Sequence, residues 1–337
     1  MKPIQEIFPL LATPRKVVIT THQKPDPDAM GSSLGLYHFL LQFGHEVTVI
    51  SPTNWATWLN WMPGADKVLD FESPGQSEKA AAALKRADWL FCLDFNIFTR
   101  TRNLSPALYA FTGTRVLIDH HQQPDEANFE YGISDTTKSS TSEMVYDFIV
   151  TSGNAAKLNT PIAECLYAGV MADTGSFRFA TTTASVHAMI ADLKERGLEH
   201  SKVHENIYDN FLENRLRFIG HVLMNRMEVF YETNTALIAI PKKDLLRFQI
   251  KTGDTEGLVN FPLSIQGIKL AALVIDRDEE RKWSFRSKGG FDTNTFARKY
   301  FNGGGHYNAS GGRSSESLEQ TVERFKLAVE ENAEQLQ

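Results

Sequence analysis

Cysteine is scarce in this chain. Its 337 residues hold two, Cys92 and Cys165, with no CxxC spacing, so neither a disulfide scaffold nor a thiolate zinc knuckle can be built. Both sit in apolar segments (Trp89-Leu90-Phe91-Cys92-Leu93 and Cys165-Leu166-Tyr167) and read as buried reduced thiols. Long apolar runs are also missing: no stretch reaches 18 uninterrupted apolar residues, which argues against a spanning helix. Residues 1–6 lack the apolar core and small-residue cleavage site of an export signal. A cytoplasmic protein with no membrane partner is expected. Positive charge is not in excess either. The net charge of −6 argues against wrapping long duplex nucleic acid, but not against short nucleotides in a locally basic pocket. There is no internal repeat and no low-complexity tail.

What is present is ordinary globular material, 42% hydrophobic and 23% charged, in a length that suits two domains. Residues 16–22, 46–50, 89–95 and 115–121 read as strands. Between the first two lies a helix carrying Leu34, Leu36, Phe39, Leu40 and Phe43. Strand–helix–strand order predicts a doubly wound, mainly parallel α/β sheet. Trp55, Trp58 and Trp61, three apart, read as packing rather than as a platform for bases. Residues 77–86 read as a surface helix. Ser139-Ser140-Thr141-Ser142-Glu143 opens another, and a further helix starts at Pro161 and breaks at Asp173. Charged helical periodicity over 184–225 gives way to strands at 228–231, 236–240, 268–275 and 282–288, with a helix expected within 242–265 and a closing helix over 315–336. Domains are therefore expected at 1–195 and 227–337, with a helical linker at 196–226. The second is a smaller α/β unit.

The chemistry gathers around Val116-Leu117-Ile118-Asp119-His120-His121, an apolar strand running into an acid and two imidazoles. His22, Asp26, Asp28 and Asp94 stand at the carboxyl ends of other predicted strands, where open α/β sheets place their ligands. Asp28 can also be read as a helix cap, and Asp173 as a turn residue before Thr174-Gly175. Taken together, His22, Asp26, Asp28, Asp94, His120, His121 and Asp173 offer four carboxylates, three imidazoles and no thiolate. That set suits Mn²⁺ best, with Mg²⁺, Co²⁺ or Fe²⁺ also accommodated. It exceeds the needs of one tetrahedral ion and fits a pair about 4 Å apart that shares a carboxylate, a device for in-line displacement at phosphorus. In the second domain, Gly303, Gly304 and Gly305 permit a backbone nest for an anion, and Arg286, Lys288, Arg298, Lys299 and Arg313 add positive charge.

In order, His22-x-x-x-Asp26-x-Asp28-x-x-Gly31-Ser32, Asp94, Asp119-His120-His121 and Asp173 resemble the four motifs of the DHH phosphoesterases, and Gly303-Gly304-Gly305-His306 resembles the glycine-rich motif of their DHHA1 domain. Length and domain order resemble the NrnA-like oligoribonuclease/PAP phosphatase subgroup. The resemblance implies two Mn²⁺ per chain, one held by His22, Asp26 and Asp94, the other by Asp28, Asp94, His120 and Asp173. It makes His121 a polariser or proton donor at the scissile phosphate and Asp119 the residue that orients a histidine. Arg286, Ser287 and His306, with the glycine run, would grip a phosphate or terminal nucleotide. The active site is expected in the cleft between the two domains. The expected substrates are short single-stranded RNA, dinucleotides and adenosine 3′,5′-bisphosphate, with cyclic di-AMP or its linear product pApA as the alternative and a catalytically silent nucleotide-binding regulator as the rival of another class. Asn96, two residues after Asp94, departs from the expected pattern and bears on substrate preference. The sequence allows a homodimer.

Overall fold

The computed structural model describes residues 1–277 and 280–337. In it the β-branched run Lys16-Val17-Val18-Ile19-Thr20 becomes a central strand of a parallel sheet. Its strands are, in chain order, β1 (Lys2–Pro3), β2 (Lys16–Thr20), β3 (Glu46–Ser51), β4 (Leu69–Asp70), β5 (Trp89–Leu93), β6 (Thr114–Asp119) and β7 (Tyr131–Ser134). They lie in the order β1-β7-β6-β5-β2-β3-β4, every pair parallel. Winding begins at β2, moves outward through β3 and β4, then returns to β5 and proceeds the other way. The reversal falls between β2 and β5, so their carboxyl ends flank the crevice where such sheets hold ligands.

The period-two pattern of each strand feeds two cores. Val17, Ile19, Phe91, Leu93, Val116 and Ile118 face the helices α1 (Pro27–Leu41), α4 (Thr141–Thr151) and α5 (Thr160–Asp173). Val18, Leu90, Cys92 and Leu117 face α2 (Gln76–Arg86) and α3 (Ser105–Ala110). Both cysteines are buried free thiols. Trp55, Trp58 and Trp61 pack half-buried against the first of these cores. Two helices, α6 (Ala184–Glu195) and α7 (His200–Tyr208), complete this unit, which spans Met1–Asn210. Sequence periodicity did not reveal β1, the 3₁₀ segment Ile4–Ala12 or β7, because strands of two to four residues carry too few alternations.

The second unit spans Phe211–Gln337, so the segment 196–226 is divided at residue 210 rather than standing apart. It comprises α8 (Glu213–Asn225), β8 (Met227–Phe230), β9 (Thr235–Ile240), α9 (Lys242–Arg247), β10 (Leu270–Asp276), β11 (Arg281–Ser287), α10 (Thr293–Phe301), β12 (Gly304–Gly305), β13 (Ala309–Ser314), α11 (Leu318–Glu331) and the short α12 (Ala333–Leu336). Its sheet runs β12-β13-β11-β10-β9-β8, antiparallel except for β9 against β10. Trp283 and Phe285 alternate into a core with Phe296, Phe301 and Phe325. No helix among the described residues is long and apolar enough to cross a membrane.

Candidate metal centre

Each candidate ligand of the first unit stands at a strand or helix end that its neighbours fix. Pro27 occupies the first turn of α1, and Asp26 is the N-cap: its Oδ1 accepts the N–H groups of Asp28 and Ala29, both at 3.0 Å. Asp28, read from the sequence as the possible cap, is not the cap. It is fully buried and reaches the N-terminus of α4, where Oδ2 accepts Thr141 N–H at 2.7 Å and Oδ1 accepts Ser142 N–H at 2.8 Å. Two orphan helix donors thus hold one carboxylate. Asp94 follows β5 with φ 64°, a left-handed backbone that Asp tolerates better than most residues. Asp119 ends β6, His120 and His121 follow it, and Asp173 is the last residue of α5.

Close helix packing delivers Asp173. A Cβ on Gly31 of α1 would lie 2.3 Å from the Cys165 carbonyl oxygen of α5, and one on Gly169 would lie 2.0 Å from Ser142 Oγ and 2.7 Å from Asp28 Oδ1. Only glycine permits α1, α4 and α5 to converge this far.

The convergence makes a two-lobed cluster around one carboxylate. Asp94 Oδ2 lies 3.4 Å from His22 Nε2, and its Oδ1 lies 3.4 Å from His120 Nε2. His22 Nε2 is also 3.8 Å from Asp26, while His120 Nε2 is 3.9 Å from Asp28 and 3.5 Å from Asp173. His22, Asp26 and Asp94 form one group able to hold an ion; Asp28, His120 and Asp173 form a second. Thr141 Oγ1 donates to Asp94 Oδ1 at 3.0 Å.

The ring nitrogens bear on what the cluster could hold. His22 Nδ1 faces the Gln23 carbonyl at 2.8 Å, and His120 Nδ1 faces the Lys138 carbonyl at 3.4 Å. A carbonyl oxygen only accepts, so Nδ1 carries a proton and Nε2 is the ring atom turned toward carboxylates. Lone pair against anion is unfavourable unless a proton or a cation stands between. This is the arrangement of metal-ligating histidines, whose far nitrogen donates to a carbonyl. The electrostatics agree. Burial, then the Asp94 charge, pushes Asp28 up to about 7, and burial with Asp28 and Asp26 raises Asp173 well above the usual carboxylate range. Burial opposes ionisation of Asp94, but hydrogen bonds to His120 and His22 hold it well below that range. Burial opposes the charge on His120, and Asp94 nevertheless carries it up to about 10. An all-oxygen-and-imidazole donor set with surplus buried negative charge fits a hard or borderline divalent cation.

Asp119 stands behind His121: Nδ1–H of His121 donates to its Oδ1 at 2.7 Å, which fixes the orientation of the ring. Burial, then the nearby Arg100 charge, lowers His121 well below 6.5. Asn96 donates to the Gln122 carbonyl at 2.6 Å and so ties the loop after β5 to the loop after β6.

The second unit brings its own candidates to one end of its sheet. Arg286 pairs in register with Ala309, and Gly305 with Ser310 on the other side of β13. The glycine run does not form the expected nest with all its N–H groups. Gly303 N–H donates to Ala297 and Gly305 N–H to Asn294 Oδ1 at 2.9 Å. Its smallness serves close approach instead: a Cβ on Gly303 would meet the Gly311 carbonyl oxygen at 1.9 Å. Ser287 Oγ donates to the Phe291 carbonyl and accepts from Asn308. Gly304 packs beside the Arg298 side chain, and His306 opens the turn into β13. Lys288 lies beyond the end of β11.

Sequence reasoning missed the Thr141 and Ser142 amides, Gly169 and Arg100. The serine-rich helix start was visible, but nothing in it said that a distant aspartate would dock there.

Comparison with known proteins agrees with this architecture. Residues 16–170 match the family model for the DHH family, N-terminal domain, and residues 235–335 match that for the DHHA1 domain. The bifunctional oligoribonuclease and PAP phosphatase NrnA of Bacillus subtilis is 29% identical over 296 residues, 88% of each chain. Its Thermus thermophilus counterpart is 28% identical over 335 residues, 98% of this chain and 94% of that protein. A crystal structure of an exopolyphosphatase-related protein from Bacteroides fragilis is 37% identical, with a TM-score of 0.92 over 98% of this chain and 97% of the other. With both domains matched in order and a whole-length relative of the same fold, the chain belongs to the DHH family, in its form with a C-terminal DHHA1 domain.

Proposed function

We propose that this protein is a divalent-metal-dependent phosphoesterase that hydrolyses short oligoribonucleotides to mononucleotides and removes the 3′-phosphate of adenosine 3′,5′-bisphosphate. One observation carries the reading: a single buried carboxylate, Asp94, offers one oxygen to each of two His/Asp groups whose imidazole Nε2 atoms face it. His22, Asp26 and Asp94 would hold one cation, and Asp28, Asp94, His120 and Asp173 the other, with Mn²⁺ the cation of choice. When bound, the pair supplies Lewis acidity at the oxygens of a phosphoryl group undergoing in-line displacement. Asp119 orients His121, whose imidazole is the group proposed to take or give a proton at the substrate. Arg286, Ser287, Gly303, Gly304, Gly305 and His306 are proposed to contact a phosphate or the terminal nucleotide. The names of the Bacillus and Thermus relatives support this substrate class, and the net charge of −6 agrees with short substrates.

The test is a product time course with Mn²⁺ on a labelled pentaribonucleotide, cyclic di-AMP and the 3′,5′-bisphosphate side by side. Mononucleotides from the first and release of phosphate from the third are expected, and Asp94→Asn is expected to lose both. Turnover of the cyclic dinucleotide alone would move the assignment to that substrate. A protein that binds Mn²⁺ and hydrolyses none of the three refutes the reading.

A further inference from the structure

One cation stands beside the acidic cluster with almost none of its hydrogen-bonding capacity used. Arg100 lies in the 3₁₀ segment Phe98–Leu104 that follows β5, six residues after Asp94. Its Nη1 donates to the Asp94 main-chain carbonyl at 3.4 Å, a long bond, and among the described residues this is the guanidinium's only protein partner. The backbone there is tied down independently: Gln23 N–H, next to His22, donates to the Arg100 carbonyl at 2.8 Å. Substitution of the side chain therefore leaves the loop anchored. The charge sits close enough to act on His22, Asp119 and His121 together.

This placement works against the metal centre taken alone. A fixed positive charge next to a site for dications repels them and weakens their binding. The arrangement is favourable when an anion occupies the space between, because a guanidinium fork matches phosphoryl oxygens and half-burial strengthens the contact. On the phosphoesterase reading above, we propose that Arg100 is a further substrate-binding residue, donating its free N–H groups to a non-bridging oxygen of the scissile phosphate from the side of the Asp94 carbonyl.

Titration calorimetry of three variants, Arg100→Ala, Arg100→Gln and Arg100→Lys, separates this from a structural role. The probes are Mn²⁺ on the metal-free protein and AMP on the Mn²⁺-loaded protein. Expected are Mn²⁺ affinity equal to or up to several-fold tighter than wild type in Arg100→Ala and Arg100→Gln, AMP affinity at least tenfold weaker in both, and an intermediate AMP affinity in Arg100→Lys. Opposite signs for metal and phosphate are what loss of packing cannot produce. AMP affinity within twofold of wild type in the alanine and glutamine variants overturns the inference and leaves the phosphoesterase reading standing. Mn²⁺ affinity lowered tenfold in all three assigns Arg100 to the scaffold and also overturns it. A Mn²⁺-loaded wild type that neither binds AMP nor cleaves a dinucleotide sinks both proposals.

Discussion

Gly169→Ala is the smallest change that should disable the centre without touching a ligand. The added methyl would lie 2.0 Å from Ser142 Oγ, 2.8 Å from Ser142 Cβ and 2.7 Å from Asp28 Oδ1. Rotating the serine relieves only the first contact; the other two require α4 and α5 to part or Asp28 to leave the Thr141 and Ser142 amides. Overpacking of this kind costs about 1–3 kcal/mol, and replacing a helical glycine by alanine returns roughly 1 kcal/mol. The expected net loss of stability is therefore small, about 0–2 kcal/mol. Function should respond differently. Asp28 lies 3.9 Å from His120 Nε2 and its position depends on the two amides, so disturbing that support should lower Mn²⁺ affinity by roughly 10- to 100-fold. Urea denaturation and Mn²⁺ calorimetry read the two quantities separately. Adding Ser142→Ala removes the 2.0 Å contact but not the one with Asp28, so the double variant should regain stability more fully than metal affinity. A Gly169→Ala protein with wild-type Mn²⁺ affinity would refute the claim that this glycine exists to let Asp28 and α4 meet.

Asp26→Asn keeps an N-cap acceptor and loses a ligand charge, so it should hold stability while weakening Mn²⁺ binding; Asp26→Ala should lose about 1 kcal/mol of stability as well, measured by denaturant midpoint. The metal-free protein should lose stability as pH rises from 6.5 to 8. There the folded state keeps part of a proton on Asp28 (about 7) and a proton on His120 (about 10) that the unfolded chain has released or is releasing, and the upward shift of Asp173 acts in the same direction. Stability then falls with pH by on the order of 2 kcal/mol, while His121, lowered in the fold, opposes this only weakly, as the unfolded imidazole sheds its remaining proton just above pH 6.5. Saturating Mn²⁺ should remove most of the slope, and a flat metal-free profile in urea melts would contradict the buried-acid account. In the second unit, Asn294→Ala removes the acceptor for Gly305 N–H and Arg298 Nε. It should cost about 1–2 kcal/mol and raise KM for a dinucleotide, with Mn²⁺ affinity unchanged.

The sequence carried the sheet and the acids and imidazoles that cluster at its carboxyl ends because both are local signals. Apolar runs with period two ended in acids and imidazoles at His22, Asp94 and Asp119-His120-His121, and those ends meet at the β2/β5 reversal. The division of labour between Asp26 and Asp28 was not read, although one clue to it was present. Pro27 belongs in the first turn of a helix, which places the cap at Asp26 and frees Asp28 for another helix. The tie from Asp28 to the α4 amides joins residues 113 and 114 positions apart, and no composition or period encodes such a pairing. The same holds for Gly169, whose meaning is the atom it would strike.

The glycine run of the second unit teaches the converse lesson. Gly303, Gly304 and Gly305 looked like donors for an anion, since glycine permits a nest, yet permission is not use. Two of the three N–H groups are spent on Ala297 and Asn294, and the missing side chains let the run pass against β13. On the phosphoesterase reading, the donors for a phosphate beyond Gly304 are then to be sought among side chains that the fold leaves unspent. In the first unit the clearest of these is Arg100, which no motif announced and which stands out only once every partner of its guanidinium has been accounted for.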